Sequence, residues 1–277
     1  LFAEPAIIDK VIQGRDDGYD VIVDQASHQV PFYRAYLKNA AIGGAAVINN
    51  PFRNAEDGIF LNHCLAAKLG IMAPKTVILP SREMPPHTSS ASFGNLAYPL
   101  DWEGIFNYIG FPACMKPLSG GGWKNIYRPT SREDFFHKQS ETGQLVMILQ
   151  EEIVFEEYYR CYCIGGKKTR ILSYAPRNPF HLRYQVDFNP SAERLERLES
   201  IVLQLSRYLG YDFITIDLAL KEGAPYVMHP GNPFPEAGID CLGEENFEWV
   251  AETLAGLAIE KALSAKAHKD NLTWENT

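Results

Sequence analysis

The sequence predicts a mixed protein of the α+β class, opened by a small and incomplete α/β domain. Three observations predict it. A strand, helix, strand alternation opens the chain, short β-rich runs joined by glycine turns fill its middle, and a long amphipathic segment precedes two final β-runs. At 277 residues, 46% hydrophobic and 22% charged, the chain is long enough for one broad core or for two or three small lobes, which excludes disordered and fibrous classes.

The elements follow in order. Tyr19 to Asp24 (YDVIVD) is a short β-run, Pro31 to Ala41 carries helical apolar spacing, and Ala45 to Ile48 is a second β-run that stops at Asn49-Asn50-Pro51. That is the unit of a parallel sheet, with too few strands to stand alone. Asn54 to Leu69 reads as a helix with a polar N-terminal cap and Gly70 at its end, followed by a strand over Pro74 to Leu79. Pro80 to Pro99, rich in Pro, Ser and Thr, is a long loop, and Trp102 to Ile109 a short helix. Strands are expected up to Lys116, over Met147 to Val154, and over Tyr159 to Ile164 and Lys168 to Tyr174, the last two joined at Gly165-Gly166. An amphipathic helix over Arg194 to Leu209 ends at Gly210, and strands over Phe213 to Leu220 and Tyr226 to Pro235 complete the series.

Several function classes are excluded by composition. With 26 basic against 34 acidic residues and a net charge of -8, a nucleic-acid binder is not expected, although a local basic pocket is compatible. No apolar run approaches the roughly 20 residues a bilayer requires, so no membrane segment is expected. The first residues, LFAEPAIIDK, do not read as a secretory signal, and the absence of an initial Met suggests a trimmed N-terminus. Five cysteines without a CxxC pair fit a reducing, cytoplasmic compartment. Cys161 and Cys163 share one side of a strand, and without a second Cys/His pair at ligand spacing they read as buried packing.

The segment GFPACMKPLSGGGWKN joins a β-run ending in Lys116 to a flexible turn, Ser119, Gly120, Gly121, Gly122 and Trp123, and a second lysine, Lys124. Phosphates need backbone N–H groups free of side-chain obstruction and a fixed positive charge, and this turn with its lysines supplies both. A plain hairpin turn is the alternative, since the segment matches neither of the common phosphate-loop patterns. In MILQEEIV an apolar strand is interrupted by Gln150, Glu151 and Glu152, whose acids can equally be solvated edge charges. Asp217 lies inside the apolar run FITIDLAL, where an unpaired carboxylate would be costly.

This ordered set resembles the ATP-grasp superfamily from Asn54 to Ala262, roughly three quarters of the chain, and within it the branch of glutathione synthetase and the ribosomal-protein-S6 glutamate ligase. The resemblance implies two α+β lobes clasping ATP behind a partial pre-ATP-grasp domain, with divisions at residues 1–52, 53–146 and 147–277. It implies that Lys116 pairs with the α- and β-phosphates and that Ser119 to Lys124 closes over the triphosphate. Gln150 to Ile153 then form the hinge that reads adenine, with Glu151, Glu152 and Glu157 as candidates for the ribose. Arg160 corresponds to an arginine facing phosphate or acyl substrate, or stands as a structural ion pair. Asp217 and Asn232 take the places of Mg²⁺ ligands. Arg177, His181 and Arg183 are candidates for an anionic substrate, or a solvated loop.

Two positions depart from the family pattern. Where a bridging glutamate usually precedes the final asparagine by two residues, Pro230 stands, and an ungapped strand from Tyr226 puts the metal position on His229, a poor ligand for hard Mg²⁺. Gly58 stands where a phosphate-binding lysine is common. The resemblance implies a carboxylate-amine ligase using ATP and Mg²⁺ on small-molecule or peptide substrates, with no nucleic-acid or membrane partner and with room for a homodimer. The alternative is a non-catalytic nucleotide-binding or regulatory module that has lost part of the metal site.

Overall fold

In the computed structural model, residues 2–14, 18–53, 58–119 and 124–265 are described. The chain divides into two compact units: Leu1–Asn54, Glu157–Leu218 and Gly231–Thr277 form the first, Ala55–Glu156 and Ala219–Pro230 the second.

In the first unit, β1 (Val21–Val23) and β2 (Ala46–Ile48) pair in parallel through α1 (Pro31–Ile42), as the alternation predicts. Pro31 opens α1, where its missing N–H costs nothing. Ile22, Tyr36, Leu37, Ala40 and Val47 form its small core. Asn49, buried just after β2, gives its side-chain amide to the carbonyls of Phe213 and Pro233 at 2.7 Å and accepts the Phe213 N–H at 2.7 Å. Every polar atom of that side chain is thus bonded, which makes its burial tolerable.

The second unit opens with α2 (Gly58–Lys68), whose expected cap over Asn54 to Asp57 lies outside the described residues. It continues through β3 (Thr76–Leu79), α3 (Trp102–Ile109), β4 (Ala113–Pro117), α4 (Arg132–Gln139) and β5 (Met147–Glu151). The strands make an antiparallel sheet in the order β3-β5-β4. Its residues alternate by face, as a strand's period of two requires. Leu79, Met115, Met147 and Leu149 pack with Phe106, Ile109 and Phe135 of the two helices on one side. Thr76, Lys116 and Gln150, each offset by one residue, therefore project to the other. Between residues 80 and 99, all described, the single element of secondary structure is a short 3-10 helix at Ser90–Phe93, in keeping with the long loop expected there.

Strands β6 (Glu157–Ile164) and β7 (Lys168–Ser173) form a hairpin through Gly165 and Gly166, whose φ of 62° and 63° are positions glycine adopts without steric cost. Helix α5 (Ala192–Leu209) starts on a cap in which the Ser191 hydroxyl accepts the Arg194 N–H, and it stops at Gly210 in the left-handed region. With β8 (Phe213–Lys221) and β9 (Ala224–Asn232) the four-stranded order is β7-β6-β8-β9. The short α6 (Ile239–Leu242) and the long α7 (Glu244–Ala265) follow.

Among the described residues three α-helices lie where the sequence raised no expectation: α4, α6 and α7. In α4 only Phe135 and Gln139 are buried, too few for a visible apolar stripe, yet its start is marked by Ser131, whose hydroxyl accepts the Asp134 N–H. Cys161 and Cys163 are fully buried packing residues in β6. Among the described residues no helix is long and apolar enough to cross a membrane.

Candidate functional site

Lys116 stands on β4 opposite Ile148, with Gln150 as its diagonal neighbour across the ladder. A long side chain spans that diagonal, and Lys116 Nζ donates to Gln150 Oε1 at 3.2 Å. Gln150 is the hub of this face. From the central strand it sits directly between Thr76 on β3 and Cys114 on β4, 4% exposed. Its amide nitrogen lies 2.9 Å from Thr76 Oγ1 and 3.1 Å from Nε2 of His63, which α2 brings to the sheet. No carboxylate pairs with Lys116 among the described residues, and burial lowers its pKa from the ordinary lysine value. Burial also raises the Cys114 thiol, with Lys116 pulling the other way. His63 is pushed down to about 3, by burial first and then by Lys116 and His229.

Past β4 the chain returns to it at one antiparallel bridge, where Met115 and Tyr127 exchange backbone hydrogen bonds at 2.8 Å. Its ends, Ser119 and Lys124, are exposed, and Gly120, Gly121, Gly122 and Trp123 lie outside the described residues. In the expected hinge, Ile153 is buried, a Glu151 oxygen accepts the Lys75 backbone N–H at 3.2 Å, and Glu152 pairs with Arg128 at 2.7 Å.

Arg160, Asp217, Glu157, Arg183 and Asn232 belong to the first unit, and His229 to the second. Arg160 on β6 grips Asp217 on β8 with two parallel bonds of 2.8 Å, and its guanidinium lies 4.0 Å from the centroid of the Tyr174 ring. Burial opposes the charge on Arg160, but the Asp217 carboxylate more than offsets this and raises its pKa. Tyr158, its own pKa raised by burial and then by Asp217, donates its hydroxyl to Asp217 Oδ2 at 3.1 Å. Of the two roles left open for Arg160, the geometry is that of the ion pair. Glu157 is likewise engaged, by Arg194 at 2.9 Å and by the Tyr159 hydroxyl at 2.6 Å. Arg183 turns back onto the Asn178 carbonyl within its own loop at 3.2 Å.

Asn232 Oδ1 accepts the Phe234 N–H at 3.0 Å. The expected metal ligands are thus a carboxylate already bonded on both oxygens, an amide oxygen engaged in a turn, and the imidazole of His229. Mg²⁺ demands several free oxygens in near-octahedral array, and among the described residues no group of three His, Cys, Asp or Glu side chains is placed to hold a metal ion. By the chemistry of its donors, a carboxylate already held by Arg160 and Tyr158, an amide oxygen in a turn and an imidazole, this set does not fit Mg²⁺.

Sequence reasoning missed His63. A single histidine within an apolar helix carries no signal of its own, and only the meeting of α2 with Gln150 distinguishes it.

No protein-family model matches the chain, and no curated protein matches it. Solved structures do. The D-alanine–D-alanine ligase from Bacillus anthracis, complexed with ATP, is 17% identical with a TM-score of 0.64, over 90% of this chain and 81% of that one. VanG D-Ala:D-Ser ligase from Enterococcus faecalis is 15% identical with a TM-score of 0.60, over 86% and 73%. The D-alanine–D-alanine ligase from Coxiella burnetii is 11% identical with a TM-score of 0.64, over 90% and 70%. At such identities the likeness speaks for the fold alone, and the fold of this chain is the α+β ATP-grasp fold.

Proposed function

We propose that this chain binds ATP and couples it to carboxylate-amine ligation. The observation that carries the proposal is Lys116, a half-buried cation on the strand entering the glycine-rich segment, with an amide oxygen and, among the described residues, no carboxylate as its partner. A lysine left without a counter-charge inside an ATP-grasp fold is suited to an anionic ligand. The likeness to a ligase crystallised with ATP supports the same choice of nucleotide. In such a reaction a substrate carboxylate attacks the γ-phosphorus, ADP leaves, and an amine displaces phosphate from the acyl phosphate. The protein's part is to position the groups and neutralise charge, with Lys116 in the phosphate role. The glutathione synthetase-like branch remains our proposed placement, resting on the order of motifs from Lys116 to Asn232. Small-molecule or peptide substrates follow from it.

A second reading is favoured by one observation, the Arg160–Asp217 pair. It closes off the carboxylate that the fold would offer to a metal, and a nucleotide-binding module without turnover needs no such carboxylate. Calorimetric titration with ATP, with and without Mg²⁺, tests the binding common to both, and absence of binding in either buffer sinks both. ADP release with pooled amino acids then separates them. The ligase releases ADP in the presence of an acceptor, whereas the module binds ATP and releases none until a carboxylate is installed by His229→Glu.

A further inference from the structure

The Nδ1 atom of His63 is a buried polar atom without a hydrogen-bond partner, and the bonds around it fix where the ring proton sits. Lys116 Nζ only donates, so the Gln150 atom 3.2 Å away is the amide oxygen. The Gln150 nitrogen therefore faces Thr76 Oγ1 and His63 Nε2. Thr76 donates its hydroxyl to the Pro74 carbonyl at 2.9 Å, so toward Gln150 it accepts. An amide nitrogen cannot accept, so His63 Nε2 must, and the single proton of the neutral ring resides on Nδ1. The result is an N–H donor, on a side chain 4% exposed, beside a lysine that also has hydrogens to give and no anion to receive them.

Orphan buried donors are rare in folded chains, and one next to an unpaired ammonium marks a place shaped for acceptor oxygens. Helix α2, which carries His63, begins at Gly58, where the family resemblance implies a lysine. The imidazole supplies from the same helix a donor that adds no charge. We propose that His63 Nδ1–H donates to a phosphate oxygen of the bound nucleotide, alongside the Lys116 ammonium. The proposal rests on the ATP-binding reading above and adds a residue to it.

The two ring nitrogens can be tested separately. Glutamine at this position reaches the place of Nε2 and retains a polar group toward Gln150, but has no donor at the δ position. Asparagine keeps an N–H near the δ position and gives up the contact at ε. Calorimetric Kd values for ATP and for adenosine are measured with His63→Gln, His63→Asn and the unaltered chain, with thermal midpoints in the same buffers. The expected result is a loss of ATP affinity of about tenfold or more in His63→Gln, adenosine affinity unchanged, and ATP affinity retained within about threefold in His63→Asn. Should His63→Gln prove unfolded at the assay temperature, His63→Leu takes its place with the same expected loss. Equal losses for ATP and adenosine, or equal losses in the glutamine and asparagine variants, overturn the proposal and leave His63 a packing residue. ATP binding indifferent to His63→Gln overturns this inference alone, whereas an unaltered chain that binds no ATP overturns the nucleotide reading beneath it.

Discussion

Lys116 and His63 occupy one face of one small sheet, and substitution separates their effects. On the proposed phosphate role, Lys116→Ala is expected to raise the ATP Kd by on the order of a hundredfold, while folding stability changes by about 1 kcal/mol, the value of its bond to Gln150. Calorimetry against a thermal melt checks both halves. His63 has a pH signature. Its folded pKa of about 3 lies below the ordinary histidine value of 6.5, so between these values the unfolded chain holds the extra proton. Its contribution is complete above pH 6.5 and is lost as the pH falls toward 3, by up to about 1.4 kcal/mol per unit. Melts from pH 7 to 4 are expected to fall less steeply in His63→Leu than in the unaltered chain. Lys116 and Asp217 are legible in the sequence because a lysine before a glycine triplet and an acid inside an apolar run each break a local pattern. His63 breaks none, since its bonding is made by residues that the chain reaches only at Thr76 and Gln150.

Among the elements, the β6–β8 pair carries the sharpest energetic consequence. Arg160 and Asp217 are 17% and 7% exposed, so neutralising one leaves the other charged and shielded from water. Asp217→Asn is expected to destabilise by about 3–5 kcal/mol, read by denaturant unfolding, a larger effect than a ligand-facing carboxylate would give. In α5, Leu198, Val202, Leu205 and Leu209 form the buried stripe, and Leu205→Ala is expected to cost about 2–5 kcal/mol by opening a cavity. That stripe and Gly210 are visible in sequence and place the body and end of the helix, while the Ser191 cap starts it two residues before the expected Arg194. Helix α4 shows the converse. Its eight residues REDFFHKQ bury two side chains, and a contribution that small is set by packing against Trp102 and Phe106 rather than by periodicity.

At the scale of the whole molecule, identities of 11–17% accompany TM-scores of 0.60–0.64. What persists is the order of strands, hinge and helix, which demands only apolar alternation and turn residues at the right intervals. This is why the fold is legible while a substrate is not, because any substrate would be recognised by particular side chains that no periodicity announces. Binding at one site stabilises the whole native chain. ATP at a hundred times its Kd is expected to add about 2.7 kcal/mol, visible as a concentration-dependent rise in thermal midpoint that Lys116→Ala suppresses at the same ATP concentration.

Cys114, two residues before Lys116 and directly across from Gln150, makes the Lys116 side of the sheet its own chemical reporter. Its thiol is half-buried and raised in pKa, so alkylation at neutral pH is slow and limited by access. Exposed Cys64 provides an internal control for reagent strength. A molecule seated over Lys116 shields the first thiol and leaves the second accessible, so the ratio of the two labelling rates, followed by mass spectrometry, registers occupancy of that face with no engineered reporter.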